Sequence, residues 1–400
     1  MKYVIVLGDG MADYSIDELG GKTPLEYAKT PTMDELAVKS EIGLVHTIPD
    51  GMSPGSDTAN LSVVGYDPKI YYSGRSPLEA LSIGVDMKPT DISFRCNIVT
   101  VSDDDLPYEQ KTIIDHSSSE ISTEDAAVLL DAVKKELESD LYKFYVGTSY
   151  RHLTIWDKGE VVELTPPHDI LGKTIGEYLP KDKALYDMMK KSYDILNYHP
   201  INVERAKKGL NKANSIWFWG AGTRPALSSF EEKNHKKAAM ISAVDLLKGI
   251  AVGAGMTNIS VEGANGGLHT NYEGKANAAV KALVEDGFDF VYIHVEAPDE
   301  MGHQGSVERK VQSIEFLDEK VIKVVKEGLE KAGVDFRMLV LPDHPTPICI
   351  RTHVNEAVPY MLYDSTDEKS GQYLYNEKDA KASGIYIEKG HTMVDHLFEK

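Results

Sequence analysis

Along the chain, short runs of uninterrupted apolar residues alternate with longer segments whose apolar residues recur at helical spacing. Tyr3-Val4-Ile5-Val6-Leu7 is the first such run, and its continuity predicts a parallel strand covered on both faces that stops at Gly8-Asp9-Gly10. Leu25 to Ala37 carries helix formers at helical spacing, and Ser76 to Ile83 predicts another helix with Pro77 in its first turn. Between about residues 90 and 170 the texture changes. There FRCNIVTVS, KFYVGTSYRHLTIWD and GEVVELTP read as β-rich segments around one helix, Thr123 to Leu137. Strand-like Ser215 to Trp219 and a helix from near Ala243 resume the alternation. Phe288 to Val295 and Phe336 to Leu341 are further apolar strands, separated by a helix over Val307 to Ala332. The pattern predicts the α/β class: a doubly wound, mostly parallel sheet built from residues 1–90 and 171–400, with a smaller α+β domain inserted at 91–170.

Composition narrows the function classes. With 400 residues and 42% hydrophobic content, the chain can bury a sizeable core and favours two structural units over one. No apolar run reaches the length of a membrane span, and MKYVIVLGDG has neither a basic leader nor a cleavage site, so a cytoplasmic protein without a membrane partner is expected. Cys96 and Cys349 stand far apart, which fits a reducing compartment and argues against thiolate metal sites. A formal net charge of -20 argues against a nucleic-acid partner. It leaves room for a small phosphorylated substrate, because a local cluster of cations can invert the field inside one cleft.

Ligands of open parallel sheets sit beyond the carboxyl ends of the strands, so the residues that follow each apolar run are the ones to collect. They are Asp9 after the first run, Asp299 and His303 in EAPDEMGHQG, and Asp343 and His344 in LPDHPTP, with His353 close behind in RTHVNEAVP. Any one of these suits an ordinary turn. Together, carboxylates and imidazoles at several strand ends describe a site for divalent cations such as Mn, Mg or Zn, because clustered carboxylates repel unless cations neutralise them. A second constellation, GMSPGSDTANLSVVGYDP, carries Ser53, Ser56, Thr58 and Ser62. A hydroxyl at a helix start that is ligated to a divalent cation becomes a nucleophile near neutral pH, although the same residues also serve as helix caps. The spacing alone does not choose among these hydroxyls.

The ordered set VLGDGMAD, PGSDTANLSVVGYDP, YYSGRSPLEA, FRCNIVTVS, YRHL, FWGAGTRP, NYEGKA, VEAPDEMGHQG and LPDHPTP spans nearly the whole chain. In it the chain resembles the cofactor-independent phosphoglycerate mutases of the archaeal type, within the alkaline phosphatase superfamily. The resemblance implies an alkaline phosphatase-like core and two divalent metal ions, manganese in the usual case with Mg, Zn or Co as substitutes. The implied reaction interconverts 3-phosphoglycerate and 2-phosphoglycerate through a phosphoserine, without 2,3-bisphosphoglycerate. It implies Asp9, Ser62, Asp343 and His344 around one metal and Asp299, His303 and His353 around the other. Ser62 is the serine nearest the family's N-S-x-V-G pattern, with Ser56 in reserve, and Lys248 in DLLKGIAV matches by order the lysine that faces the phosphoryl group. A phosphate and a carboxylate on one substrate call for orienting groups in the insert, for which Arg95, Arg151, His152, His168 and Asp169 are candidates. A homoserine kinase-like phosphotransferase or a metal-dependent phosphatase would use the same scaffold. A metal-binding protein without turnover is the reading from another class.

Overall fold

The computed structural model describes residues 1–399 and divides into two compact units, residues 1–72 with 226–400 and residues 73–225. The first unit is built on an eight-stranded sheet. Its order is Tyr386–Ile387, Glu41–Val45, Val358–Asp364, Phe336–Leu341, Lys2–Gly8, Phe290–Val295, Ala238–Ile241 and Thr257–Asn258. From Phe336–Leu341 to Thr257–Asn258 all neighbours run parallel, with Ile5 opposite Tyr292 on one side and Leu339 on the other. Val358–Asp364 is antiparallel to both of its neighbours. The sheet is therefore mostly parallel, as the continuous apolar runs predict.

Helices cover its strands because their apolar stripes match the sheet. Ala276, Ala279 and Leu283 of Tyr272–Val284 pack with Ile314, Leu317, Val325 and Leu329 against Val4, Val6, Val291, Ile293, Met338 and Val340. The predicted helix Val307 to Ala332 is Val307–Leu317 and Lys323–Lys331 joined by a single π turn, Asp318–Ile322. There buried Asp318 accepts the amides of Thr32 and Met33 at 3.1 and 2.6 Å, capping the helix Pro31–Ala37. Leu25 to Ala37 is not one helix. It is Pro24–Tyr27 followed by Pro31–Ala37, because proline has no amide to continue a helix but suits a first turn.

The second unit spans residues 73–225, wider than the 91–170 expected for the insert. Ser215–Thr223 is not a core strand. It pairs antiparallel with Ile92–Val101, whose other partners are Ile113–Asp115 and Arg151–Trp156, and Arg151–Trp156 pairs with Tyr142–Thr148. Helix Arg75–Ser82 belongs here too, since Ser76 Oγ donates to Gly220 O at 2.6 Å, and Met189 and Leu196 of helix Lys183–Leu196 join the insert's own apolar core. Thr123–Leu137 forms as predicted, with Ser122 Oγ accepting the Asp125 amide. GEVVELTP forms no strand. Among the described residues no helix is long and apolar enough to cross a membrane.

Leu339 is wholly buried in the central part of the first sheet. Leu339→Ala should cost about 2–5 kcal/mol, read as a lowered urea midpoint for the unit that contains it.

Candidate metal centre and active site

Asp9, Asp299 and Asp343 follow the carboxyl ends of Lys2–Gly8, Phe290–Val295 and Phe336–Leu341, three adjacent parallel strands, so the sheet itself gathers them. All three are buried, and none is ion-paired to lysine or arginine among the described residues. Two groups of ligand atoms converge. Asp9, Asp343 and His344 form one and Asp299, His344 and His353 the other, each with its atoms within 4.8 Å of one another. His344 thus belongs to both, where the resemblance assigned it to one. His303 joins the second group through Nε2, which is 3.2 Å from Asp299 Oδ2 and 3.0 Å from His353 Nε2.

Each ligand is held by a defined contact. The Gly10 amide donates to Asp343 Oδ1 at 3.1 Å, and Gly10 has φ of 59°. A Cβ there would stand 2.5 Å from both Asp299 Oδ1 and Thr346 Oγ1, so both the turn and the close approach require glycine. Asn60 Nδ2 donates to Asp343 Oδ2 at 2.8 Å, while the Tyr292 hydroxyl donates to Asn60 Oδ1 at 2.6 Å and fixes which way the amide points. Thr346 Oγ1 donates to Asp299 Oδ1 at 2.5 Å, leaving its lone pairs to accept from His344 Nδ1 at 3.3 Å. That arrangement puts a bare Nε2 of His344 toward the carboxylates.

The charges show the same design. Burial, then the nearby Asp343 and Asp299, raise the Asp9 carboxyl well above its ordinary range. Burial alone would raise Asp299 too, but hydrogen bonds to His303 and His353 hold it well below. The bond to Asp299 in turn lifts His303 to about 9. Asp9 Oδ1 is buried with no hydrogen-bond partner, and two imidazole Nε2 atoms face each other at 3.0 Å. A divalent cation in each group would resolve the feature found there, so the residues present fit the implied metals.

Of the two serines, Ser56 reaches this centre. It starts helix Ser56–Val63, and its Oγ lies 3.0 Å from His344 Nε2. Ser62 lies about 9 Å further along the helix axis. Its Oγ is buried against Gly390 and has no hydrogen-bond partner. The structure thus brings Ser56, and not Ser62, next to the clustered carboxylates and imidazoles. Lys248 lies in helix Asp245–Gly253, where it pairs with Asp245 at 3.2 Å.

In the insert, Arg95 is buried and spent on Glu79, with two bonds of 2.9 Å, beneath the ring of Trp219. Arg151 is exposed over Tyr150. His152 is buried, accepts the Gly147 amide through Nδ1, and is held down to about 4 by burial, which makes it a neutral interior group. His168 stands edge-on to Trp219, and Asp169 lies 3.6 Å away from it. His116 was missed because it lies in the polar stretch DHSSSE and follows no long apolar run. Its ring is 5.7 Å from Tyr150 and 6.1 Å from His168, and its Nδ1 is buried without a partner among the described residues. Asn60, Thr346 and His294 were missed as well, since each supports a ligand and carries no ligand signal of its own.

The fold is of the α/β class, with the candidate site at the carboxyl edge of a mostly parallel sheet. Residues 37–202 match the family described as 2,3-bisphosphoglycerate-independent phosphoglycerate mutase. The chain is 48% identical to the protein of that name from Methanosarcina barkeri, over 99% of both chains. Among solved structures, it resembles a Pyrococcus horikoshii protein at 30% identity and a TM-score of 0.82, covering 99% of this chain and 96% of that one. It also resembles the cofactor-independent phosphoglycerate mutase of Thermoplasma acidophilum at 26% identity and a TM-score of 0.67, covering 100% and 99%. The chain belongs to the 2,3-bisphosphoglycerate-independent phosphoglycerate mutases.

A buried ion pair supports the loop that carries Thr346. Lys310 Nζ bonds Asp13 Oδ2 at 2.8 Å and Thr346 O at 2.9 Å, while Glu377 accepts from Thr23 Oγ1 and the Asp13 amide. Burial pushes the Glu377 carboxyl up to about 7. Its folded pKa exceeds its unfolded value of about 4.3. Its stabilising contribution is therefore complete below about pH 4 and lost as pH rises through about 7. Relative to Glu377→Gln, the thermal midpoint of the wild type should fall across that window; parallel profiles would refute the assignment.

Proposed function

We propose that this chain interconverts 3-phosphoglycerate and 2-phosphoglycerate through a phosphoserine on Ser56, at a centre holding two divalent metal ions. The observation that carries the nucleophile is the 3.0 Å contact between Ser56 Oγ and His344 Nε2 at a helix start beside the carboxylate cluster. Asp9, Asp343 and His344 would hold one ion and Asp299, His303 and His353 the other, with Mn the first choice for this mixed oxygen and imidazole set. When bound, the ions supply Lewis-acid charge that lowers the pKa of a ligated hydroxyl and offsets charge on a phosphoryl group.

The chain's residues perform the steps. Ser56 Oγ gives up its proton and bonds phosphorus in line as the C3 oxygen of the substrate leaves and takes up a proton. In the second half the 2-hydroxyl of glycerate loses its proton and bonds the same phosphorus, and Ser56 Oγ departs with a proton restored. The amide end of helix Ser56–Val63 favours the phosphate there. Lys248 is the cation assigned to the phosphoryl oxygens by the family resemblance. Arg151, His168 and Asp169 are the insert groups with exposed polar ends, suited to the carboxylate and hydroxyls of glycerate. Arg95 and His152 are assigned to holding the insert's architecture. The expected setting is cytoplasmic, and the partner is the small phosphorylated substrate.

The test is an enolase-coupled assay with 3-phosphoglycerate and Mn, without added bisphosphate and repeated after chelation. Chelation should abolish turnover. Ser56→Ala should lower turnover by about 10³-fold or more, with Ser62→Ala close to the wild type; the reverse order would overturn the assignment. Release of inorganic phosphate in place of 2-phosphoglycerate would identify a phosphatase.

A further inference from the structure

Strand Phe290–Val295 is buried along its whole length, yet it carries an imidazole, His294, with no exposed surface. A buried imidazole needs partners at both ring nitrogens. His294 finds them on the strands at either side. Its Nε2 lies 2.9 Å from Asp9 Oδ2, and its Nδ1 lies 3.2 Å from Ser242 Oγ, just beyond strand Ala238–Ile241. Ser242 Oγ already accepts the Val244 amide at 3.0 Å, so its hydroxyl proton is free to go to Nδ1. That leaves the ring proton on Nε2, where it is donated to the carboxylate. The main chain is held as well, because wholly buried Lys275 donates from Nζ to His294 O at 2.9 Å.

The consequence appears on Asp9. One oxygen, Oδ2, is engaged by His294, while Oδ1 is buried without a hydrogen bond and stands 3.5 Å from His344 Nε2. A carboxylate free to rotate would have no reason to leave that oxygen bare. We infer that His294 is a positioning residue for Asp9, whose Nε2–H holds Oδ2 so that Oδ1 faces Asp343 and His344, set to receive a divalent cation. This rests on the reading of the carboxylate cluster as a metal centre. Outer-shell partners of metal ligands commonly contribute about 10- to 100-fold in affinity.

The experiment uses the full chain stripped by chelation and titrated with Mn²⁺, with free ion read by electron paramagnetic resonance. His294→Ala should weaken Mn²⁺ binding by about 10- to 100-fold. His294→Gln, whose amide nitrogen can reach the place of Nε2 and donate, should recover most of that loss. A purely structural role would lower the thermal midpoint of the metal-free variants and leave Mn²⁺ affinity unchanged. Wild-type affinity in His294→Ala, or no recovery in His294→Gln, overturns the inference. If His294→Ala does not fold, Ser242→Ala replaces it, since loss of the donor to Nδ1 should also weaken Mn²⁺ binding and unchanged affinity would count against the proposal. Failure of the wild type to bind Mn²⁺ would overturn the metal-centre reading itself, and it would show before any substitution is made.

Discussion

Three carboxylates must share one buried place, and the rest of the core unit is arranged around that constraint. Asp9, Asp299 and Asp343 come from adjacent strand ends, and none is ion-paired to lysine or arginine among the described residues. Like charges at such range in a poorly hydrated site are costly unless protons, imidazoles or cations offset them. The protein uses imidazoles in part. His303 and His353 hold Asp299 ionised, while Asp9 is driven toward its protonated form. What is left over is a demand for positive charge, which a divalent cation would meet.

The neighbouring residues keep this unfavourable cluster in place. Gly10 lets the chain turn without a Cβ where one would meet Asp299, and its amide braces Asp343. Tyr292 aims Asn60, and Asn60 aims Asp343. Lys310, wholly buried, ties Asp13 to the loop bearing Thr346. Each of these groups is satisfied by hydrogen bonds inside the protein, so the strain of the cluster is met by a rigid surround and not by solvent.

The insert shows a different economy. Its buried Arg95 is neutralised by Glu79 and stacked on Trp219. Elsewhere in the insert, Ser118, Ser119 and Glu120 all adopt positive φ, a run that non-glycine residues rarely sustain. Asp115 holds that turn by accepting from Ser117, Ser119 and Asn211. His116 immediately precedes that turn.

Sequence by itself determined the parallel core and most of the clustered carboxylates and imidazoles. Strand continuity reports burial on both faces, and ligands of parallel sheets lie at the strand ends, so Asp9, Asp299, Asp343 and His344 were legible from order alone. Thr123–Leu137 was legible because its cap and its periodicity are local. Tertiary structure decided what depends on distant partners. Ser215–Thr223 reads like any core strand, and only its pairing with Ile92–Val101 places it in the insert. Ser56 and Ser62 lie on one short helix, and only its docking separates the serine that meets His344 from the one buried against Gly390. His294 is hidden inside an apolar run, and its role exists only because Asp9 and Ser242 stand at the ends of neighbouring strands. Local chemistry is written in consecutive residues, whereas the choice among equivalent side chains is made by contacts hundreds of residues apart.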